Sequence, residues 1–307
     1  MTTHKNIEKY EKDLISILFP IKEFHKFLSA SIQSIINQTY QNIELIIIDD
    51  SNDSLVSNLI NGLNDERIVY IKGYQKGLSK ALNLAIENSR GLYLARMDSD
   101  DISSINRLEQ QFLFMKKNEV DICGCNAYII NEDNQIIDTF ISPKNQNLII
   151  PYLVSFVPFL HGSVIINKSF LKKKSLFYDH NFKAEDKKLW MNFYNEGAKF
   201  LNIDEFLYHY RDTKNSLIHI NLKKIIKEIK FSNKVFVKEN LNKILSELSN
   251  NLDKYQEYSE KDKEILVKFY LNCFIITLNY KFLRILSVGR KRYILIYIIK
   301  SLLNKNN

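Results

Sequence analysis

Along the first hundred residues, short apolar runs alternate with longer stretches that are apolar on one side only. The runs at 14–19 (LISILF), 43–48 (IELIII), 68–71 (IVYI) and 92–97 (LYLARM) predict strands. Their near-continuous apolar character suits strands covered on both faces, as in a parallel sheet. Between the first two, Leu28, Ile32, Ile35 and Ile36 follow the spacing of one helix face. Leu78, Ala81, Leu82, Ala85 and Ile86 do the same between the third and fourth, and Leu108, Phe112 and Met115 predict a helix after the fourth. This is the alternation of βαβ units.

From 121 to 140 the pattern predicts a hairpin turning at NEDNQ. A strand at 162–166, a helix starting near Glu185 and a short strand pair around 199–211 follow. After Asn215 the chain becomes Lys-rich and helical, with Leu241, Ile244, Leu245 and Leu248 on one face. It ends in RKRYILIYIIKSLL, a basic start running into apolar residues. Neither an internal repeat nor a Pro- or Gly-rich linker interrupts it. The expectation is an α/β fold, with a mainly parallel sheet and helices on both faces, over 1–215. A basic helical C-terminal extension over 216–307 is expected to pack against it.

The 307 residues can form a full core, and 45% hydrophobic with 25% charged residues excludes a disordered or fibrous chain. A net charge of +8 favours anionic partners: nucleotide diphosphates, nucleic acid or an acidic membrane surface. Three cysteines, Cys123, Cys125 and Cys273, make neither a disulfide framework nor a structural zinc site. The start, MTTHKNIEKYEKD, lacks the apolar core of a secretory signal. No run reaches the roughly 20 apolar residues that span a bilayer. A cytoplasmic protein is expected, with peripheral contact at the inner face of the plasma membrane left open by the basic, Ile- and Tyr-rich tail.

Acidic residues change the picture most. Ligands of an open α/β sheet gather at the carboxyl ends of its strands. The second predicted strand runs into Asp49 and Asp50, the fourth into Asp98, Ser99, Asp100 and Asp101. Carboxylates crowded at one strand end repel each other unless a cation is present, and Mg²⁺ or Mn²⁺ takes oxygen ligands with substrate phosphates. The alternative is helix capping, which Asp101 before Ile-Ser-Ser suits well. Pro20-Ile21-Lys22-Glu23 after the first strand carries no glycine-rich phosphate loop, which excludes dinucleotide and P-loop chemistry.

Three segments together resemble family 2 glycosyltransferases: SIINQTYQNIELIIIDDSND (34–53), KGLSKALNLAIENSRGLYLARMDSDD (76–101) and AEDKKLW (184–190). ARMDSDD, HGSVI and YHYR are similar to the subgroup that builds bacterial surface polysaccharides. The resemblance implies the GT-A fold, Rossmann-like, and inverting transfer of a sugar from a nucleotide-sugar, UDP-sugar by default, to a glycan or lipid-linked saccharide of capsule or lipopolysaccharide. It implies that Asp50, with Asp49 beside it, faces the nucleotide base. Asp98 contacts the ribose or the metal, and Asp100 ligates a Mn²⁺ or Mg²⁺ bridging the diphosphate. Asp186 is the implied catalytic base with Glu185 supporting it. Pro20, Lys76, Lys80, Arg96, Ser99 and His161 complete the donor-contacting set.

The chain departs from the family in Asp50-Ser51-Asn52-Asp53, which lacks the usual glycine, in Gln75 for Asn, and in Ala81-Leu82-Asn83. His161 reads equally as a structural histidine, Trp190 as core, and Arg211 with Lys214 as an exposed basic loop or a diphosphate clasp. Two other classes fit parts of the pattern. A nucleotidyltransferase needs a glycine- and basic-rich loop after the first strand, which is missing. A non-catalytic membrane- or nucleic-acid-binding module with a transferase fold would have lost the D-x-D or the Glu-Asp pair, and both are intact. No aromatic–basic motif supports RNA binding.

Overall fold

The computed structural model describes residues 10–279 apart from 53, 75, 145 and 214–221, together with 281 and 285. The four expected strands are β1 (Glu11–Ile21), β2 (Ile43–Asp49), β3 (Ile68–Lys72) and β4 (Gly91–Arg96). Helices α1 (Leu28–Ile36), α2 (Leu55–Asn61) and α3 (Leu78–Asn88) connect them. The strands pair in parallel in the order β3-β2-β1-β4, so all four carboxyl ends open on one edge. Gly77, at φ 91°, makes the left-handed turn into α3 that an L side chain would resist.

The second half of the sheet consists of β5 (Ile102–Ser103), β6 (Ile122–Ile130), β7 (Ile136–Phe140), β8 (Ile165–Asn167) and β9 (Phe200–Arg211). β8 lies antiparallel between β4 and β6, and β9 runs parallel to β6 with β5 beyond it. β7 returns from β6 as the expected hairpin. Two local expectations are corrected. Residues 161–163 form a 3₁₀ turn, and the strand begins only at Ile165. The region around 199–211 is one strand, not a pair. Asp204 and Glu205 are exposed and read as a turn in the sequence, but the chain passes through them with register shifts against β6.

Strand alternation divides the core. Leu45 and Ile47 of β2 face α1 and α4 (Arg107–Asn118). Ile46 and Ile48 face the other side, with α3, α5 (Ile149–Ser155) and α7 (Glu185–Asn195). Short α6 (Lys168–Lys173) follows β8. Of the C-terminal helices, α8 (Leu222–Glu239), α9 (Leu241–Asp253) and α10 (Glu260–Thr277) add Phe236, Val237, Ile244, Leu248, Leu266 and Tyr270 to this second cluster. Tyr152 of α5 donates a 2.7 Å hydrogen bond to Asp262 of α10. The stretch at 290–303 lies outside the described residues. Among those described, no helix is long and apolar enough to cross a membrane.

The opposite edge of the sheet is closed by a residue that the strand pattern hides. Glu44, 2% exposed within IELIII, accepts hydrogen bonds from Ser16 Oγ, Arg90 N (2.6 Å), Arg90 Nε (2.9 Å) and Gly91 N (3.3 Å). One carboxylate thereby ties β2 to β1 and to the start of β4. Burial would raise its pKa, but these hydrogen bonds outweigh it and hold the group below its usual value. A lowered folded-state pKa gives stability that is present above the unfolded value and lost as pH falls through the folded one. Glu44→Ala, which leaves several donors unpaired, is expected to cost about 1–3 kcal/mol in urea denaturation at pH 7. The gap should narrow below about pH 4.5.

Candidate active site

β4 delivers its last residues to the open edge as a tight turn. Arg96 is buried (1% exposed) and ion-pairs through Nη2 with Asp98 Oδ1, while Nη1 donates to the Met97 carbonyl. Its Nε is buried without a hydrogen-bond partner. Burial opposes its charge, but Asp98, Tyr178 and Tyr208 outweigh that and raise its pKa. Ser31 Oγ donates to the Asp98 carbonyl at 3.0 Å, and Ser99 Oγ lies 3.1 Å from His25 Nε2. The D-x-D backbone is therefore held from the loop and helix that follow β1.

Asp101 is not a helix cap. It is fully buried and accepts from Tyr208 Oη (2.6 Å) and Arg211 N (2.7 Å), tying the turn to β9. Arg211 is likewise neither an exposed loop residue nor free to clasp a diphosphate. It is buried, donating through Nε to the Asp100 carbonyl, through Nη1 to the Asn131 carbonyl and through Nη2 to Asn134 Oδ1, each at 2.8 Å. Lys214 lies outside the described residues. Asp100 is left with its carboxyl in the crevice, pushed up to about 6 by burial and by the Asp98 charge.

Gly162 explains the HGS turn. A Cβ there would stand 2.0 Å from Tyr208 Oη and 2.8 Å from Asp98 Oδ2, so only glycine lets the turn pass against the D-x-D. His161 lies just before it, 2.9 Å through Nε2 from Tyr178 Oη, with its ring edge-on to Trp190 at 5.9 Å. Burial and then the nearby Arg96 charge push its pKa well down, so the imidazole is neutral. Tyr178 is itself clamped: Asn83 of α3 accepts from its backbone N–H (3.0 Å) and donates to its carbonyl (2.8 Å).

Seven residues beyond Tyr178, α7 begins with Glu185 and Asp186, while Leu189, Trp190 and Phe193 are buried in the core. Asp186 Oδ1 accepts from the Lys187 N–H at 2.6 Å. The Glu185 carboxyl is pushed up to about 7 by burial, by Asp186 and by Asp98; the Asp186 carboxyl is also raised, chiefly by burial. Both feel the Arg96 charge, so the two acidic motifs, 85 residues apart in sequence, lie within electrostatic reach of one guanidinium.

The end of β2 separates two neighbours that the sequence suggests act together. Asp49 is fully buried and committed, accepting from Tyr70 Oη (2.6 Å), Lys72 Nζ (2.8 Å) and Ser51 N (2.9 Å). It does not face the crevice beside Asp50 as expected. Asp50 lines a small hollow with Ile48, Tyr74, Lys76, Lys80 and Ala81. A Cβ on Gly73 would come within 1.9 Å of Asp50 Oδ1, so this glycine is what admits the carboxylate. Lys76 Nζ stands 5.2 Å from the Tyr74 ring centroid. Pro20, half-buried, pairs in register with Ile48 behind the hollow. Gly73 and Tyr178 carry no motif that sequence reasoning recognises; Asn83 was visible only as part of Ala81-Leu82-Asn83 and Tyr208 only as part of YHYR.

Comparison with known proteins agrees with this geometry. The model of Glycosyl transferase family 2 matches residues 16–179. The O-antigen biosynthesis glycosyltransferase WbnJ of Escherichia coli is 33% identical over 206 residues, covering 65% of this chain and 80% of WbnJ. The E. coli UDP-Glc:alpha-D-GlcNAc-diphosphoundecaprenol beta-1,3-glucosyltransferase WfaP is 31% identical over 217 residues, covering 70% and 84%. Residues 1–349 of S. aureus TarS, crystallised with UDP-GlcNAc, superpose with a TM-score of 0.59 at 14% identity, covering 85% of this chain and 81% of that one. This chain spans 49% of a longer TarS structure. The last two likenesses bear on the fold alone, and they agree with the GT-A architecture expected from the sequence. With the family match spanning both the turn at 98–101 and the Asp50 hollow, the chain belongs to glycosyl transferase family 2 and is a glycosyltransferase.

Proposed function

We propose that the enzyme moves a sugar, with inversion, from a UDP-sugar to a saccharide acceptor during surface-polysaccharide assembly on the cytoplasmic side of the membrane. The observation that carries this reading is the meeting of Asp98, Asp100, Glu185 and Asp186 around Arg96. The relatives support the substrate class: WbnJ is named for O-antigen biosynthesis, and WfaP for a UDP-Glc donor and a diphosphoundecaprenol-linked acceptor. TarS was crystallised with UDP-GlcNAc.

The residues fit a divalent cation. Asp98 spends one oxygen on Arg96, leaving Oδ2 at the Gly162 side, and Asp100 is an oxygen donor whose charge Arg211 and Arg96 offset less than burial and Asp98 oppose it. Among the described residues no three His, Cys, Asp or Glu side chains converge as a ready-made metal site. Two carboxylates supplemented by substrate phosphates suit Mg²⁺ or Mn²⁺. Asp98 and Asp100 would hold the ion, whose charge would stabilise the departing diphosphate.

The other residues do the rest. Asp50, Lys76 and Lys80 hold the nucleotide in their hollow, and His161, kept neutral by burial, packs on Tyr178 beside the D-x-D without adding charge. Asp186 accepts the proton of the acceptor hydroxyl as its oxygen bonds to the anomeric carbon. The bond from that carbon to the diphosphate breaks on the opposite face, and the nucleoside diphosphate leaves with the electron pair. One displacement inverts the centre. Glu185 keeps the neighbourhood of Asp186 acidic and so raises the affinity of the pair for that proton.

Release of nucleotide from a panel of UDP-sugars, with a saccharide acceptor and Mn²⁺, tests the assignment. Asp100→Ala and Asp186→Ala should each lower the rate by about 10²-fold or more, and EDTA should abolish it until Mn²⁺ or Mg²⁺ is restored. Parent-like rates in both variants would remove the reading. The pH profile is a second check. A base whose carboxyl is raised acts only when deprotonated, so the rate should climb with pH along a limb that lies above the ordinary carboxylate range. A profile already flat from pH 5.5 upward would contradict it.

A further inference from the structure

One face of α8 is built for a partner that the catalytic crevice does not require. At about 100° per residue, Lys227, Lys230, Phe231, Lys234 and Lys238 fall within about 100° of the helix circumference. All five are exposed, Phe231 to 67%, and Ile226 borders them at 40%. Among the described residues no carboxylate pairs with any of the four lysines. The reverse of the helix is committed to the core through Phe236 and Val237. Phe231 also lines a shallow groove of about 70 Å³, whose walls include Phe182, Met191 and Val235.

We propose that this face docks the enzyme on an anionic phospholipid bilayer. An unpaired cation row gains from the potential of an anionic surface, and an aromatic side chain among the lysines can enter the boundary between headgroups and acyl chains. Nucleic acid fits less well: arginine, which stacks and binds phosphate through two hydrogen bonds, is absent from the row, and a single aromatic offers little stacking. The face is also placed for use. Glu228, on the same helix, accepts a 2.8 Å hydrogen bond from the Lys183 backbone N–H, three residues before Asp186. Docking would bring the acceptor side of the crevice close to the surface where a lipid-linked saccharide resides. The inference adds a partner to the transferase reading, and its test needs no turnover.

Co-sedimentation of the full chain with vesicles reads it directly. Binding is expected to vesicles of phosphatidylcholine containing phosphatidylglycerol, to weaken with added salt, and to be absent with phosphatidylcholine alone. The quadruple variant K227E/K230E/K234E/K238E should lower the partition coefficient at least tenfold, since each lysine near such a surface contributes about fivefold. Phe231→Ser should lower it severalfold with the charge unchanged. Both should keep the parent's thermal midpoint and its nucleotide release with a soluble acceptor. The proposal is overturned if the parent ignores anionic vesicles, binds neutral ones equally, is displaced from them by single-stranded RNA, or loses nothing in the quadruple variant. Loss of vesicle binding with turnover intact would leave the transferase reading standing, and inactive protein that still binds would do the reverse.

Discussion

A single buried guanidinium organises this molecule. Arg96 has almost no solvent exposure, and a cation removed from water is tolerated only where opposite charge and hydrogen-bond acceptors replace what water supplied. Asp98 and the Met97 carbonyl supply part of that directly, and Asp100, Glu185 and Asp186 stand close enough to feel the same charge. Arg96, with Arg211 beside Asp100 and Lys187 beside Asp186, offsets only part of what burial and mutual repulsion do to these carboxyls. Burial first, and then the neighbouring carboxylate, hold Asp100 up to about 6 and Glu185 up to about 7. On the proposed reading, a diphosphate with its counter-ion and a hydroxyl about to lose a proton are the species that meet this shortfall of positive charge.

The fold delivers this arrangement by arithmetic more than by special loops. Parallel pairing puts the ends of β2 and β4 on one edge, separated by β1. The D-x-D turn is then fastened from three directions: by Ser31 and His25 after β1, by Tyr208 and Arg211 on β9, and by the close passage of Gly162. Asp101 and Arg211 do no chemistry in this scheme. They make the turn rigid, so that Asp98 and Asp100 point into the crevice without reorganising when charge develops there.

Much of this was legible from residues alone, because burial leaves a periodic trace. The continuous runs at β1, β2 and β4 could only be strands covered on both sides, and the faces of α1, α3 and α4 were written in their apolar spacing. Helices α2, α5 and α6, of six or seven residues, are too short to show a period. β9 was misread because its bulge exposes Asp204 and Glu205. Among the acidic residues, type and strand position were readable but direction was not. Asp49 and Asp50 look equivalent in sequence. Alternation along β2 turns the first into a buried anchor for Tyr70 and Lys72 and the second into the hollow. Glu44 and Arg211 were hidden for the same reason: their partners lie 28 to 111 positions away.

The clamp between Asn83 and Tyr178 joins the two halves of the site. α3 carries Lys80 and Ala81 on the wall of the Asp50 hollow and, less than one turn further, the amide that holds both backbone polar groups of Tyr178. Tyr178 in turn meets His161 beside the D-x-D and lies within electrostatic reach of Glu185 and Asp186. A side-chain amide that pairs a peptide unit at both ends fixes position and orientation together, which a single hydrogen bond does not. The helix that forms the wall of the Asp50 hollow is therefore the one that sets where the segment leading to α7 begins. On the proposed mechanism the donor and acceptor sides then share a reference point, and for a displacement that needs nucleophile, anomeric carbon and leaving group in line, a shared reference is what holds the reacting atoms in register.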